Sequence, residues 1–444
     1  MAAASRPAPV DSSGNPTRRP PRTPAARGYA GALPIVPVRA RGLTVEGADG
    51  RRYLDCLSGD GTLALGHNHP VVLAAIRDAL ASDAPLNAPE SATPVKEAFL
   101  SELLRTLPSD LADGARVRFC APSGAQATQT ALELVRSATG RTPVALCFYG
   151  GADPADAQLG TLAALFVDPL RGGSDCGGDP DNSSAVLAPN FWMRDLRYLA
   201  AARSIPLIAD ETRTGVARTG AFWAVDHSGI TPDVMVLSRA VAAGLPLSVV
   251  VHRDSLDTEQ PGTPAAPFRG NQLALAAGAA TLAHVRTHGL ATRAAALGAR
   301  MLSQLDSLRA EFSCIRRVRG QGLMIDVEVR PPEADTTPEP TETFAAPAAP
   351  ATRLTSTPFH HSHHSLRARP GAEGDPGLAV AVQRACLERG LIVGLDGPRA
   401  DVLRLLPPLT VTDEQAAAVL DRFADAVASV SHAPAAPDAR SPFS

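Results

Sequence analysis

The sequence predicts an α/β protein with a mainly parallel sheet, and three observations carry that prediction. The runs Ile205–Ala209 and Val234–Leu237 are short, apolar and end abruptly, at Asp210 and at Ser238-Arg239. Uninterrupted apolar runs of this length mark strands buried on both faces. Strand-like and helix-like stretches alternate from about residue 116 to 251, the order that builds parallel sheets through helical crossovers. From Leu378 the chain reads helix, strand, strand, helix, the pattern of a smaller α+β lobe. Ligands of open α/β sheets sit beyond the carboxyl ends of the strands. Asp210 and Arg239 are therefore the first candidate site residues, and they stand to meet as an ion pair.

The chain has 444 residues and a net charge of −3. It has room for two or three domains and no general pull toward nucleic acid or membranes. No apolar run reaches the length of a membrane span. Met1–Arg27 carries arginines without a hydrophobic core, which reads against a secretory signal and leaves an Arg-rich transit peptide as the alternative to a cytoplasmic location. Six scattered cysteines without a CxxC pair fit reduced, buried thiols. Among the 42 basic residues a single one, Lys96, is a lysine, so chemistry that needs a side-chain amine has one candidate.

Taken in order, residues 1–27 are a Pro/Ala/Arg-rich tail expected to be disordered. Residues 28–85 open a small lobe: alternating runs around Asp49-Gly50 predict a hairpin, then comes a glycine-punctuated loop with His67 and His69, then a helix over 70–80. The two histidines suit a structural role better than a metal site. Residues 86–290 form the large α/β domain. Its elements are a helix over 93–107 carrying Lys96, a strand over 116–120, and a small-residue turn at Ala121–Thr128 that opens a helix to Arg136. Such a turn points backbone N–H groups and a helix dipole at an anion. Strands at 144–149 and 162–167 and a helix over 191–203 lead into the Asp210 strand. Helical residues 271–312 break near Thr287-His288-Gly289, and Gly320–Val329 reads as a glycine turn with one alternating strand. Residues 291–430 make the C-terminal lobe, interrupted by a Pro/Thr/Ala/Glu-rich insertion at 331–375 that is expected to be disordered and contains His360–His364; 431–444 is a tail.

Several stretches together resemble the class III aminotransferases, and the diaminobutyrate–2-oxoglutarate transaminase branch most of all. They are Arg51–Gly59, Leu65–Pro70, Ala209-Asp210-Glu211 with Arg218-Thr219-Gly220, Pro232–Ser238, Gly244–Leu247 and Phe268–Gly278. The resemblance runs through 38–152, 162–329 and 377–428. It implies a pyridoxal-phosphate (PLP) enzyme of fold type I, with a mainly parallel large-domain sheet, a small α+β lobe drawn from both chain ends, and a site at a dimer interface. Ser123, Gly124 and Ala125 match the phosphate cup, Asp210 the carboxylate that pairs with the pyridinium nitrogen, and Arg404 an arginine that in relatives holds a substrate carboxylate.

Other family positions are altered. The lysine that bonds the cofactor is replaced by Arg239, and a guanidinium is a very poor nucleophile toward a carbonyl. Ala152-Asp153-Pro154 stands where the family has an aromatic-His-Gly, Arg213 where it has glutamine, Pro267 where it has threonine, and Asp168-Pro169 where it has Glu-Pro. The linker from Pro154 to Leu162 is much shorter than in relatives. The resemblance with these departures implies an impaired or non-catalytic homologue, without an intact catalytic residue or a metal, acting as a homodimer or beside an active paralogue. The alternatives are chemistry on pyridoxamine phosphate, and an active transaminase moving an amino group from diaminobutyrate or a similar amine to 2-oxoglutarate.

Overall fold

A computed structural model describes residues 35–89, 91–149, 159–170, 187–258, 269–331, 354–355, 377–397 and 400–431. The expected tails, the motif Ala152–Pro154, Pro267 and the His360–His364 tract lie outside the described residues, as does all of the 331–375 insertion except Pro331 and Leu354-Thr355. From Ile35 onward the chain forms one compact unit.

The elements follow in order. Strands β1 (Pro37–Arg41), β2 (Thr44–Gly47) and β3 (Arg52–Asp55) precede helix α1 (Pro70–Ala81) and α2 (Pro94–Leu104). Next come α3 (Ser109–Ala112), β4 (Ala115–Phe119), α4 (Gly124–Thr139), β5 (Val144–Cys147) and β6 (Ala164–Val167). Helix α5 (Asn190–Ala202) leads to β7 (Leu207–Asp210), β8 (Val234–Leu237) and β9 (Val249–Arg253). Helices α6 (Gln272–Thr287) and α7 (Leu290–Ser307) precede β10 (Ile315–Gln321), β11 (Met324–Val329) and the two-residue β12 (Leu354–Thr355). The chain ends with α8 (Leu378–Glu388), β13 (Leu391–Ile392), β14 (Gly394–Asp396), β15 (Val402–Leu405) and α9 (Asp413–Ser431).

The large sheet has the order β5-β6-β7-β8-β9-β4, with β12 added beside β5. Strands β5 to β8 run parallel, and β9 runs antiparallel to both β8 and β4. Five of these six strands therefore point the same way. The apolar runs alternate as a two-faced strand must. Ile208, Val234, Val236 and Val250 pack with Ala127, Ala131, Leu132 and Val135 of α4. Leu207, Ala209, Met235, Leu237, Val249 and Val251 join the larger core on the other face, with Phe99 and Leu275. There α6 comes so close that a Cβ on Gly278 would stand 2.8 Å from the Phe99 ring and 2.9 Å from the Val241 carbonyl.

Two smaller sheets complete the fold. One has the order β1-β2-β3-β13 and joins the two ends of the chain through the parallel β3–β13 pair. The other is antiparallel, with order β10-β11-β15-β14. The single strand expected over Gly320–Val329 is a hairpin instead. Gly320 (φ 156°) and Gly322 (φ 58°) take conformations that favour glycine, so the chain reverses and Ile315–Gln321 becomes a strand too. Among the described residues, no helix is long and apolar enough to cross a membrane. The five described cysteines are free and buried.

Candidate active site

Because β4 to β8 share a direction, their carboxyl ends meet along one edge. Asp210 ends β7, and Ser238-Arg239 follows β8. Asp168 follows β6, and the turn to Ser123 follows β4. Ser123 caps the 16-residue helix α4, its hydroxyl accepting from the Gln126 N–H at 3.2 Å. A Cβ on Gly124 would lie 3.6 Å from Thr212 Cγ2. The turn at Ser123-Gly124-Ala125 and the segment after Asp210 are thus direct neighbours. The N-terminus of a helix this long carries free backbone donors and a favourable field for an anion.

Asp210 is 2% exposed, and its Oδ1 accepts from the Thr212 N–H at 3.0 Å. Three residues on, Arg213 donates from Nη2 to Asp168 Oδ2 at 2.6 Å, while Asp168 Oδ1 accepts from the Leu170 N–H at 3.0 Å. The Asp168 carboxylate holds the Arg213 guanidinium above its ordinary pKa, and Asp210 adds to the effect. Glu211, between them, is 1% exposed. Its carboxyl accepts from Thr214 Oγ1 and, at 2.9 Å, from the Val225 N–H. Burial outweighs these bonds and pushes its pKa up to about 7.

Arg239 goes to Asp60 rather than to Asp210. Its Nη1 donates to Asp60 Oδ2 at 2.6 Å and to the Asp60 carbonyl at 3.0 Å. This corrects the expected pairing across adjacent strand ends, and the reason lies in the backbone. Arg239 has φ 55°, so the chain turns at this residue and its side chain leaves the strand direction. Ser58, Gly59, Asp60 and Gly61 all have positive φ, a tight loop that brings Asp60 within reach. Gly244 makes room for it: a Cβ there would stand 2.7 Å from Leu63 Cδ2.

Arg404 is likewise engaged within the fold. Its Nε and Nη2 donate to the two Asp326 oxygens at 2.8 and 2.7 Å, and Nη1 meets Asp396. Arg404 lies opposite Asp326 on β11 and Gly394 on β14 in the sheet register. Burial pulls its pKa down, but the two aspartates hold it above the ordinary value. The structure thus gives this guanidinium a fixed structural fork, where the sequence resemblance offers it to a substrate carboxylate. Asp326 escaped the sequence reading. Its signal was an aspartate inside the apolar run Met324–Val329, since a buried carboxylate demands a cation.

Lys96 sits on α2 with its Nζ 5.1 Å from the centroid of the Phe119 ring. The histidines divide. His67 Nε2 lies 2.7 Å from Asp55 Oδ2, and His69 packs at a 56° tilt against His284, 4.8 Å between ring centroids, which in turn packs on His288 at 3.9 Å and 31°. Among the described residues no cluster is arranged to hold a metal ion.

A family model described as aminotransferase class-III matches residues 25–150 and 157–427. A diaminobutyrate–2-oxoglutarate aminotransferase of Rhizobium meliloti (strain 1021) is 37% identical over 440 residues, covering 88% of this chain and 87% of that protein. Among solved structures, the acetylornithine aminotransferase of Elizabethkingia anophelis superposes with a TM-score of 0.72 at 24% identity, over 91% of this chain and 96% of that one. An ornithine aminotransferase of Toxoplasma gondii, described with partial occupancy of PLP at its active site, gives 0.69 at 24% identity, over 91% and 92%. The likeness of these two structures concerns the fold.

Proposed function

We propose, for a chain that belongs to the class III aminotransferases, that it is a diaminobutyrate-transaminase-like homologue whose own amino transfer is impaired or lost. One observation carries this reading: the residue that follows Ser238 at the end of β8 is Arg239, engaged with Asp60, and the one lysine of the chain lies over Phe119 on another element.

PLP, when bound, supplies an aldehyde and an electron-withdrawing ring. The residues present suit its non-covalent parts. Backbone donors at Ser123, Gly124 and Ala125 fit a phosphate, and the buried Asp210 carboxylate fits a protonated ring nitrogen. They do not suit the covalent part. The delocalised guanidinium at position 239 is a very poor nucleophile and does not take the place of an amine on an aldehyde. The chain would adopt PLP fold type I, work in the cytoplasm, and pair with a second copy or with an active paralogue.

A second reading has its own support. Identity of 37% across nearly the whole chain to a protein named diaminobutyrate–2-oxoglutarate aminotransferase favours an active PLP- or pyridoxamine-phosphate-dependent enzyme that moves an amino group from diaminobutyrate or a similar amine to 2-oxoglutarate. The comparisons weigh toward this reading and the residue at 239 weighs against it. One experiment separates the two. Protein incubated with PLP and reduced with borohydride is expected to show no lysine adduct by intact mass. A stoichiometric adduct, or turnover of diaminobutyrate with 2-oxoglutarate at a transaminase rate, would overturn the first reading and establish the second.

A further inference from the structure

We propose that the outer face of the β1–β2–β3 sheet is a binding site for a multivalent anion, a small elongated ligand carrying two or more phosphate or carboxylate groups. Arg39 and Arg41 are two residues apart on β1, so their side chains leave the same face. The register sets Arg39 opposite Glu46 and Glu46 opposite Arg52, which puts Arg52 on that face as well. In the intervening row Val45 and Tyr53 are buried on the other side. The three arginines line one groove of about 990 Å³.

Its far wall is formed by Thr410 and Thr412, which lead into the 19-residue helix α9. Gln415 N–H donates to Thr412 Oγ1 at 3.2 Å and Thr412 N–H to Gln415 Oε1 at 3.0 Å, and the first turn of α9 carries Asp413 and Glu414, so this wall adds polar groups while the positive charge comes from the arginines alone. Among the described residues, the guanidiniums of Arg39, Arg41 and Arg52 have no ion-pair partner, unlike Arg213, Arg239 and Arg404, each of which is held by an aspartate. Glu46 is the one acidic residue in the lining, which leaves an excess of positive charge.

Strand geometry sets the ligand's shape. Arg39 and Arg41 stand roughly 7 Å apart along the strand, and Arg39 and Arg52 roughly 10 Å apart across two strand spacings. A compact anion meets one guanidinium fork, and Glu46 between Arg39 and Arg52 repels it from the middle. A ligand with charged groups at its ends meets two forks and avoids Glu46. Guanidinium forks pair bidentately with both phosphate and carboxylate.

Inorganic tripolyphosphate and citrate, titrated calorimetrically into the full chain at low ionic strength, test the site. At least one probe is expected to bind with one-to-one stoichiometry. The double variant Arg39→Gln/Arg52→Gln is expected to weaken it at least about tenfold without moving the thermal midpoint, since both side chains are exposed. Arg39→Lys/Arg52→Lys, which keeps the charge and loses the fork, should fall between. Tighter binding of tripolyphosphate assigns a phosphorylated ligand, and tighter binding of citrate a polycarboxylate. Failure of both probes to bind, or unweakened binding in the double glutamine variant, overturns the proposal.

Discussion

Arg239 and Asp60 join two parts of the chain 179 residues apart, through a 2.6 Å contact between guanidinium and carboxylate. The pair is partly open, with side chains 25% and 57% exposed, so it stabilises the fold by no more than about 1 kcal/mol. Its consequence is positional. It ties the loop of left-handed residues at Ser58–Gly61 to the end of β8, where the family resemblance places an amine.

Replacing Arg239 by lysine is expected to supply that amine without restoring a working enzyme. The shorter ammonium would still face the Asp60 carboxylate, and the Arg213–Asp168 pair would still stand beside Asp210. Arg239→Lys should gain a borohydride-trappable adduct with PLP, while its turnover of diaminobutyrate stays at least about 100-fold below that of an intact transaminase assayed beside it, because a misplaced reacting group costs rates of that order. Full activity in the single variant would show that Arg213 and the other altered positions are immaterial.

The Arg404 fork predicts a stability effect. Arg404→Ala leaves Asp326, 3% exposed, without its bidentate partner in the middle of β11, and breaking such a pair costs about 3 kcal/mol. Urea denaturation should show the loss with no ligand present. Arg404→Lys should recover part of it. A midpoint unchanged in Arg404→Ala would mean that the guanidinium does not brace the β11–β15–β14 sheet.

The large sheet was legible because its strands are apolar on both faces and short, a pattern few other elements share. Strand direction was less so: Val249–Val251 opens as apolar a run as the parallel strands, and only the register shows this strand to be antiparallel. At the site, Asp210 and the Ser123 turn could be placed from the ends of apolar runs. The partners of the arginines could not. Asp60 reaches Arg239 through a loop of four consecutive positive φ values, in which Ser58 and Asp60 carry no sequence mark of that conformation. Asp396 reaches Arg404 through a strand register set by the whole lobe.

Glu211 makes stability depend on pH in an uncommon direction. Its folded pKa, about 7, lies above the ordinary value of 4.5 because of burial. The folded state therefore binds the proton more tightly than the unfolded state, and stability falls as pH rises from about 4.5 to 7. A shift of this size corresponds to a cost on the order of 3 kcal/mol above pH 7. Glu211→Gln retains an acceptor for the Val225 N–H and cannot ionise. It should gain stability relative to the parent at pH 8 and show little difference at pH 4.5, measured by chemical denaturation at each pH. Equal differences at both values would show that Glu211 is not buried as an acid.

The histidine cluster acts on the acid side with the opposite sign. Burial and the neighbouring imidazoles lower the pKa of His69 and His284 below 6.5, and His69 Nδ1 is buried with no hydrogen-bond partner. Neutral rings can pack between the start of α1 and the end of α6, whereas adding protons to them crowds like charges together. Their contribution to stability is fully present above the unfolded value near 6.5 and is lost as pH falls through the depressed folded values. Thermal midpoints followed from pH 7.5 down to 5 should drop less steeply in His284→Gln than in the parent, because removing the middle ring relieves both neighbours at once. The two proteins should converge toward a constant offset above pH 7, where His69 and His284 no longer gain protons. Parallel curves across the whole range would mean that the acid sensitivity arises elsewhere in the chain.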